Sequence, residues 1–161
     1  MKDNEYFLFY FQFSAMELFF EGQVMWSQID ANQHLRHSAY ADFGAQARLN
    51  MLEQNGLTFA MLAAAHIGPV IFREELTYLR EVRLGDMVKV HCEVMKARAD
   101  GSRWSIRHSL VRSDGVTAAI IISDGAWLDI QKRKLTPLSA EMTALFEKLP
   151  KSEDFEELAT K

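Results

Sequence analysis

The alternation that begins at Val88 constrains this chain most. Val88, Val90, Cys92 and Val94 are apolar, and Lys89, His91 and Glu93 between them are polar. A period of two puts the two sets on opposite faces of a strand, so one face is buried. Asp100-Gly101 comes next, followed by a run from about Arg103 to Val111 with Trp104, Ile106 and Leu110 on one face. Asp114-Gly115 closes that run, and Ala118 to Ile130 reads as a long final strand. Asp-Gly tolerates the positive φ angles of a tight hairpin turn, so these three strands are antiparallel neighbours. Ser123-Asp124-Gly125 inside the last of them is a candidate bulge.

The chain upstream has a different character. Leu18 to Met25 reads as a strand, and a polar loop from Ser27 to Arg36 follows. Tyr40, Phe43, Ala47 and Met51 recur at helical spacing and would face a core. Ser38 suits the cap of that helix, and Asp42 places negative charge in its first turn. Asn55-Gly56 stops it. Leu57 to Ala65 reads as a second short helix, Gly68-Pro69 as a break, and Val70 to Val82 as a strand. Gly85-Asp86 is a turn. After the last long strand, Ala140 to Leu149 reads as a short amphipathic helix.

Taken in order, this is a strand, a long helix and four antiparallel strands, an α+β layout with a curved antiparallel sheet. The 161 residues suit one domain, with a core over about residues 16–149, an N-terminal extension over 1–15 and a polar tail over 150–161 that is expected to lack fixed structure. Tyr6 to Phe13 is strongly aromatic but too short to cross a bilayer, and Met16 is an alternative natural start. The formal charge of −4 argues against nucleic-acid binding. Cys92 is the single cysteine, which excludes an internal disulfide and fits a cytoplasmic, reducing compartment.

Chemistry concentrates between Trp26 and Arg48. Asp30, His34 and His37 lie in a short loop that runs into the long helix. A helix N-terminus offers free N–H groups and a partial positive charge. A carboxylate beside it pairs a base or nucleophile with an oxyanion site. Taken alone, Asp30 is also an ordinary turn residue. His34-x-x-His37 raises the thought of a metal, but no further ligand cluster accompanies it, so none is assigned. His66, His91 and His108 read as ordinary strand or loop residues.

The loop and the segment Tyr78-Leu79-Arg80-Glu81-Val82-Arg83-Leu84-Gly85-Asp86 together resemble the hotdog-fold thioesterases, in particular the 4-hydroxybenzoyl-CoA thioesterase family and its bacterial acyl-CoA thioesterase relatives. The resemblance covers roughly residues 18 to 135. Trp26 matches the family's first aromatic, Asp30 its catalytic carboxylate, His37 a helix-entry position, Tyr40 the helix aromatic and Arg48 a common Ala-Arg pair. Gln28 stands where the family has another Asp. Gln33 stands where Gly is common, which would make positive φ harder to adopt there.

The resemblance implies a curved sheet of about five strands wrapped round one long central helix. It also implies an acyl-CoA thioesterase needing no cofactor and no metal. Asp30 would be nucleophile or general base, and the backbone N–H groups near His37 and Ser38 would hold the oxyanion. Trp26, His34 and Tyr40 would contact substrate. Arg98, Arg103 and the Lys132-Arg133-Lys134 run would meet coenzyme A phosphates. Glu53 is a weaker acid/base candidate. A homodimer or homotetramer with sites at the subunit interface is expected. The alternative function is a non-catalytic hotdog protein that binds acyl-CoA or serves in assembly. A hotdog hydratase or dehydratase ranks below both, because none of the three prolines is near Asp30.

Overall fold

A computed structural model describes residues 17–159. The aromatic run Tyr6–Phe13 and Met16 lie outside the described residues. The elements are β1 (Leu18–Gln23), a short 3-10 turn (Trp26–Gln28), α1 (His37–Gln54), α2 (Phe59–Ala64), β2 (Ile67–Tyr78), β3 (Met87–Arg98), β4 (Arg103–Arg112), β5 (Thr117–Asp129), β6 (Lys134–Leu135), α3 (Ala140–Phe146) and β7 (Lys151–Leu158). The sheet runs β1-β3-β4-β5-β2, with β6 added to β5 and β7 to β3.

This is the expected hotdog architecture. The stripe Tyr40, Phe43, Ala47 and Met51 is buried, and α1 packs on β1, β3, β4 and β5. Val88, Val90, Cys92 and Val94 turn inward beneath it. Gly44 lets the helix come close, since a Cβ there would stand 2.9 Å from Ile121 Cδ1. Both Asp-Gly hairpins form, with Gly101 at φ 66° and Gly115 at φ 81°.

Several local expectations are corrected. Ser38 does not cap α1. Arg36 holds the cap position in extended backbone and no side chain caps the helix, so Ser38 falls inside the first turn and Asp42 beyond it. The cause is the loop, whose backbone bonds set the start at His37. Gly68-Pro69 does not break the chain but lies within β2, paired to Leu128 and Trp127. Proline is tolerated there because β2 is an edge strand. The irregularity expected at Ser123–Gly125 lies across the ladder instead, between Ile71 and Arg73. Gln33 adopts φ 63° despite its side chain.

The polar tail is ordered. β7 pairs in parallel with the C-terminal half of β3, while β1 occupies the N-terminal half of the same edge. Charged side chains fasten it: Lys96 Nζ lies 2.6 Å from Glu156 and Arg107 lies 3.3 Å from Asp154. Hydropathy does not reveal this strand, because it is held mainly by backbone pairing to β3 and four of its eight residues are acidic.

Candidate active site at the start of the central helix

Residues 29–36 fold into a tight hairpin-like loop. Bridges join Ile29 to Leu35 and His34 to Arg83. Leu35 N donates to Val82 O at 2.7 Å and Arg36 N to Gln28 O at 2.8 Å. Asp30 Oδ1 accepts from the backbone N–H groups of Asn32 (2.8 Å) and His34 (3.1 Å). This is an Asx turn, and it explains why Asp suits the position. Among the described residues no partner holds the second carboxylate oxygen, and Asp30 is exposed.

An open cavity of about 360 Å³ sits here, lined by Asp30, His34, Leu35, His37 and Tyr40 from the loop and helix, and by Tyr78, Leu79, Arg80 and Glu81 from the end of β2. The loop motif supplies one wall and the curl of β2 supplies the other. Tyr78 Oη donates to the carbonyl of His37 at 3.2 Å. Its ring meets that of Tyr40 edge-on, with centroids 5.2 Å apart. Burial raises the Tyr40 phenol, Tyr78 raises it further, the Val82 backbone opposes, and the charges of Asp30 and Glu81 add to the rise. Tyr40 is therefore a neutral hydrogen-bonding group facing acidic neighbours.

His34 Nε2 lies 2.9 Å from Glu81 Oε2, which ties the loop to the second wall. Glu81 also pairs with Arg83. That hydrogen bond and charge, then His34 and Arg112, hold the Glu81 carboxyl below the usual carboxylate range. At the helix start, Ala39 N already turns back to Arg36 O. The absence of a side-chain cap leaves the amides of His37 and Ser38 unclaimed by any side chain among the described residues.

The structure thus brings together Asp30, His34, His37 and Tyr40. It leaves other sequence candidates outside the cavity lining. Trp26 is 81% exposed in the 3-10 turn, and the Ser38 side chain is exposed. Arg98 lies in a separate groove with Lys151 and Phe155. Arg103 stacks on Phe72, 5.2 Å from its centroid. Both arginines and the Lys132–Lys134 turn sit at the far end of the sheet. Tyr78 pairs with Ala119 of β5, whereas Arg103 pairs with Ala126, about 23 Å further along the strand. Glu53 is committed elsewhere, its Oε1 accepting from Phe59 N at 2.6 Å.

Tyr78, Arg80 and Glu81 are not among the site residues to which the sequence points, although their segment carries part of the resemblance. Their position next to a recognisable Leu-Gly-Asp turn was the available signal. No group of three or more His, Cys, Asp or Glu side chains among the described residues could hold a metal. No helix among them is long and apolar enough to cross a membrane.

A family profile described as the thioesterase-like superfamily matches residues 24–146. No curated protein matches the chain. Among solved structures, a hypothetical protein of Staphylococcus aureus in complex with CoA is similar, with a TM-score of 0.75 and 19% identity over 82% of this chain and 83% of that one. The DHNA-CoA thioesterase of Staphylococcus aureus has a TM-score of 0.74 and 17% identity over 80% and 87%. The probable thioesterase YbaW of Escherichia coli has a TM-score of 0.72 and 20% identity over 84% and 100%. At such identities the likeness establishes the fold.

Proposed function

This chain belongs to the thioesterase-like superfamily and so to the thioester hydrolases, and we propose that it hydrolyses an acyl-CoA to a free acid and coenzyme A. The observation that carries this reading is the meeting of Asp30, His37 and Tyr40 around one open cavity at the uncapped start of α1. The CoA held by one structural relative supports the choice of thioester.

In this reading the thioester carbonyl lies over the first turn of α1, and its oxygen takes hydrogen bonds from the amides of His37 and Ser38 as negative charge develops. The free oxygen of Asp30 attacks the carbonyl to give a mixed anhydride that water then hydrolyses, or it deprotonates a water that attacks the carbonyl directly. The leaving thiolate, with a thiol pKa of about 8.5, departs without strong general-acid help. His34 anchors the loop, and Tyr40 and Tyr78 wall the acyl group. Arg80 is the cationic side chain at the cavity and suits the coenzyme A phosphates. Arg98, Arg103 and the Lys132–Lys134 turn, at the far end of the sheet, would serve only across a subunit interface.

A homodimer or larger homo-oligomer agrees with β2. Among the described residues this strand of 12 residues pairs on one side only, with β5, and exposes Ile71, Phe72 and Tyr78, with exposed Leu79 just after it. Long exposed apolar edges are sites of chain pairing. A panel of short, medium, long and aromatic acyl-CoAs, followed by thiol release, tests the activity. Turnover of none of them would refute it and leave binding without catalysis as the reading.

A further inference from the structure

A chain of four polar side chains runs from the core to the edge of the sheet and takes no part in the chemistry above. Arg48, on α1, shares one guanidinium nitrogen between His108 Nε2 at 3.0 Å and Ser123 Oγ at 3.1 Å. His108 is fully buried on β4, and its Nδ1 lies 3.1 Å from the carbonyl of Ile121. Since a carbonyl only accepts, Nδ1 carries the proton and Nε2 receives the bond from Arg48. Ser123, fully buried on β5, donates onward to Glu74 Oε1 of β2 at 2.8 Å.

The placement of this link matters. The helix packs on β1, β3, β4 and β5, while β2 is joined to it at two polar points. One is Tyr78 against Tyr40 and the His37 carbonyl. The other is Glu74 through Ser123 to Arg48. Tyr40 and Arg48 are about 12 Å apart along the helix, and Tyr78 and Glu74 about 13 Å apart along the strand. The two elements therefore run side by side and are braced at matching intervals. The first brace is in the cavity, and the second is two helical turns away.

We propose that Glu74, Ser123 and Arg48 are positioning residues for the site: they set the spacing between α1 and β2, and so hold Tyr78 and Arg80 opposite Asp30 and the first helical turn. The proposal rests on the reading of that cavity as the active site. None of the three touches substrate. Burial lowers the Arg48 guanidinium, and the Glu74 charge opposes this.

Glu74 is exposed, so Glu74→Ala leaves the core intact, and Ser123→Ala removes only the bridging hydroxyl. Both are expected to lower kcat by about tenfold to a hundredfold through misplacement, with KM moving far less. Glu74→Gln keeps an oxygen that accepts from Ser123 and is expected to restore activity. Hydrogen exchange followed by mass spectrometry is expected to rise at residues 36–42 and 76–80 in Glu74→Ala and Ser123→Ala, and to stay at the wild-type level in Glu74→Gln. Wild-type kcat in Glu74→Ala overturns the proposal, as does a fall in kcat without a change in exchange, or a Glu74→Gln variant as impaired as Glu74→Ala. Should the wild-type protein turn over no acyl-CoA, the functional reading fails and exchange alone decides the brace: a rise supports it, no change overturns it.

Discussion

His34 Nε2 and Glu81 Oε2 stand 2.9 Å apart and join the two walls of the cavity. One residue follows the Asp30 turn and the other ends the segment after β2. Both are partly exposed, so the pair adds little to global stability, and its effect is local. Glu81→Ala is expected to leave the melting temperature within about 2 °C and to lower kcat several-fold as the Asp30 loop loosens. Thermal denaturation alongside steady-state kinetics checks this. A large drop in melting temperature would contradict it.

Asp30→Asn separates chemistry from loop structure. The Asn side-chain oxygen still accepts from the Asn32 and His34 amides, so the Asx turn survives. The lost carboxylate is expected to cost about 10²- to 10⁴-fold in kcat, with an unchanged circular dichroism spectrum. Retention of more than a tenth of the activity would remove Asp30 from the mechanism.

His108 makes acid stability predictable in sign. Burial, then the Arg48 charge, lowers its pKa to about 3, while the Ile121 carbonyl opposes. The unfolded chain binds this proton near pH 6.5 and the folded protein does not. Stability is therefore full above about pH 6.5 and falls as pH drops toward about 3, by up to about 1.4 kcal/mol per pH unit from this group. Urea unfolding between pH 4 and 8 measures the slope. In His108→Gln the slope is expected to flatten, with stability at pH 8 reduced by about 1–3 kcal/mol as buried partners lose their bonds.

Gly125 is required by packing. A Cβ there would lie 2.3 Å from Trp104 Cη2 and 2.7 Å from the Val70 carbonyl. The indole cannot retreat freely, because Trp104 is 3% exposed and packs on Trp127. Gly125→Ala is expected to cost about 1–3 kcal/mol in urea unfolding. A neutral result would mean the strand pair can part there.

The edge of β2 predicts association. Light scattering after size exclusion is expected to give at least twice the 18.5 kDa of one chain. Ile71→Glu adds charge to the exposed edge and is expected to shift the species toward monomer, as charged edges resist pairing. A wild-type monomer at all concentrations would rule out the shared site.

Much of the fold was legible because its signals are local. The alternation of Val88 to Val94, the two Asp-Gly turns and the Tyr40–Met51 stripe each report a few neighbouring residues, and each became the element it predicts. The helix cap misled because Ser38 competes with backbone bonds from Gln28 and Val82 that fix the preceding loop. Half of the candidate site was legible too, since Asp30, His34, His37 and Tyr40 share one continuous motif. Arg98 and Arg103 suit phosphates by charge and by lying near strand ends, but neither property tells which end of the sheet they occupy.

The sequence by itself determined the central helix, the antiparallel hairpin strands β3 to β5 and one wall of the cavity, because period, turn chemistry and motif act within a few residues. Tertiary structure decided which distant segments meet. Tyr78 reaches the His37 carbonyl across 41 positions of chain, and Glu74 reaches Ser123 across 49, because β2 curls round the helix and pairs with β5. It also turned an acidic tail into a strand, because the C-terminal half of the β3 edge offered unpaired backbone groups that β7 could satisfy. Sheet curvature and edge pairing sum over the whole chain, and no local pattern encodes them.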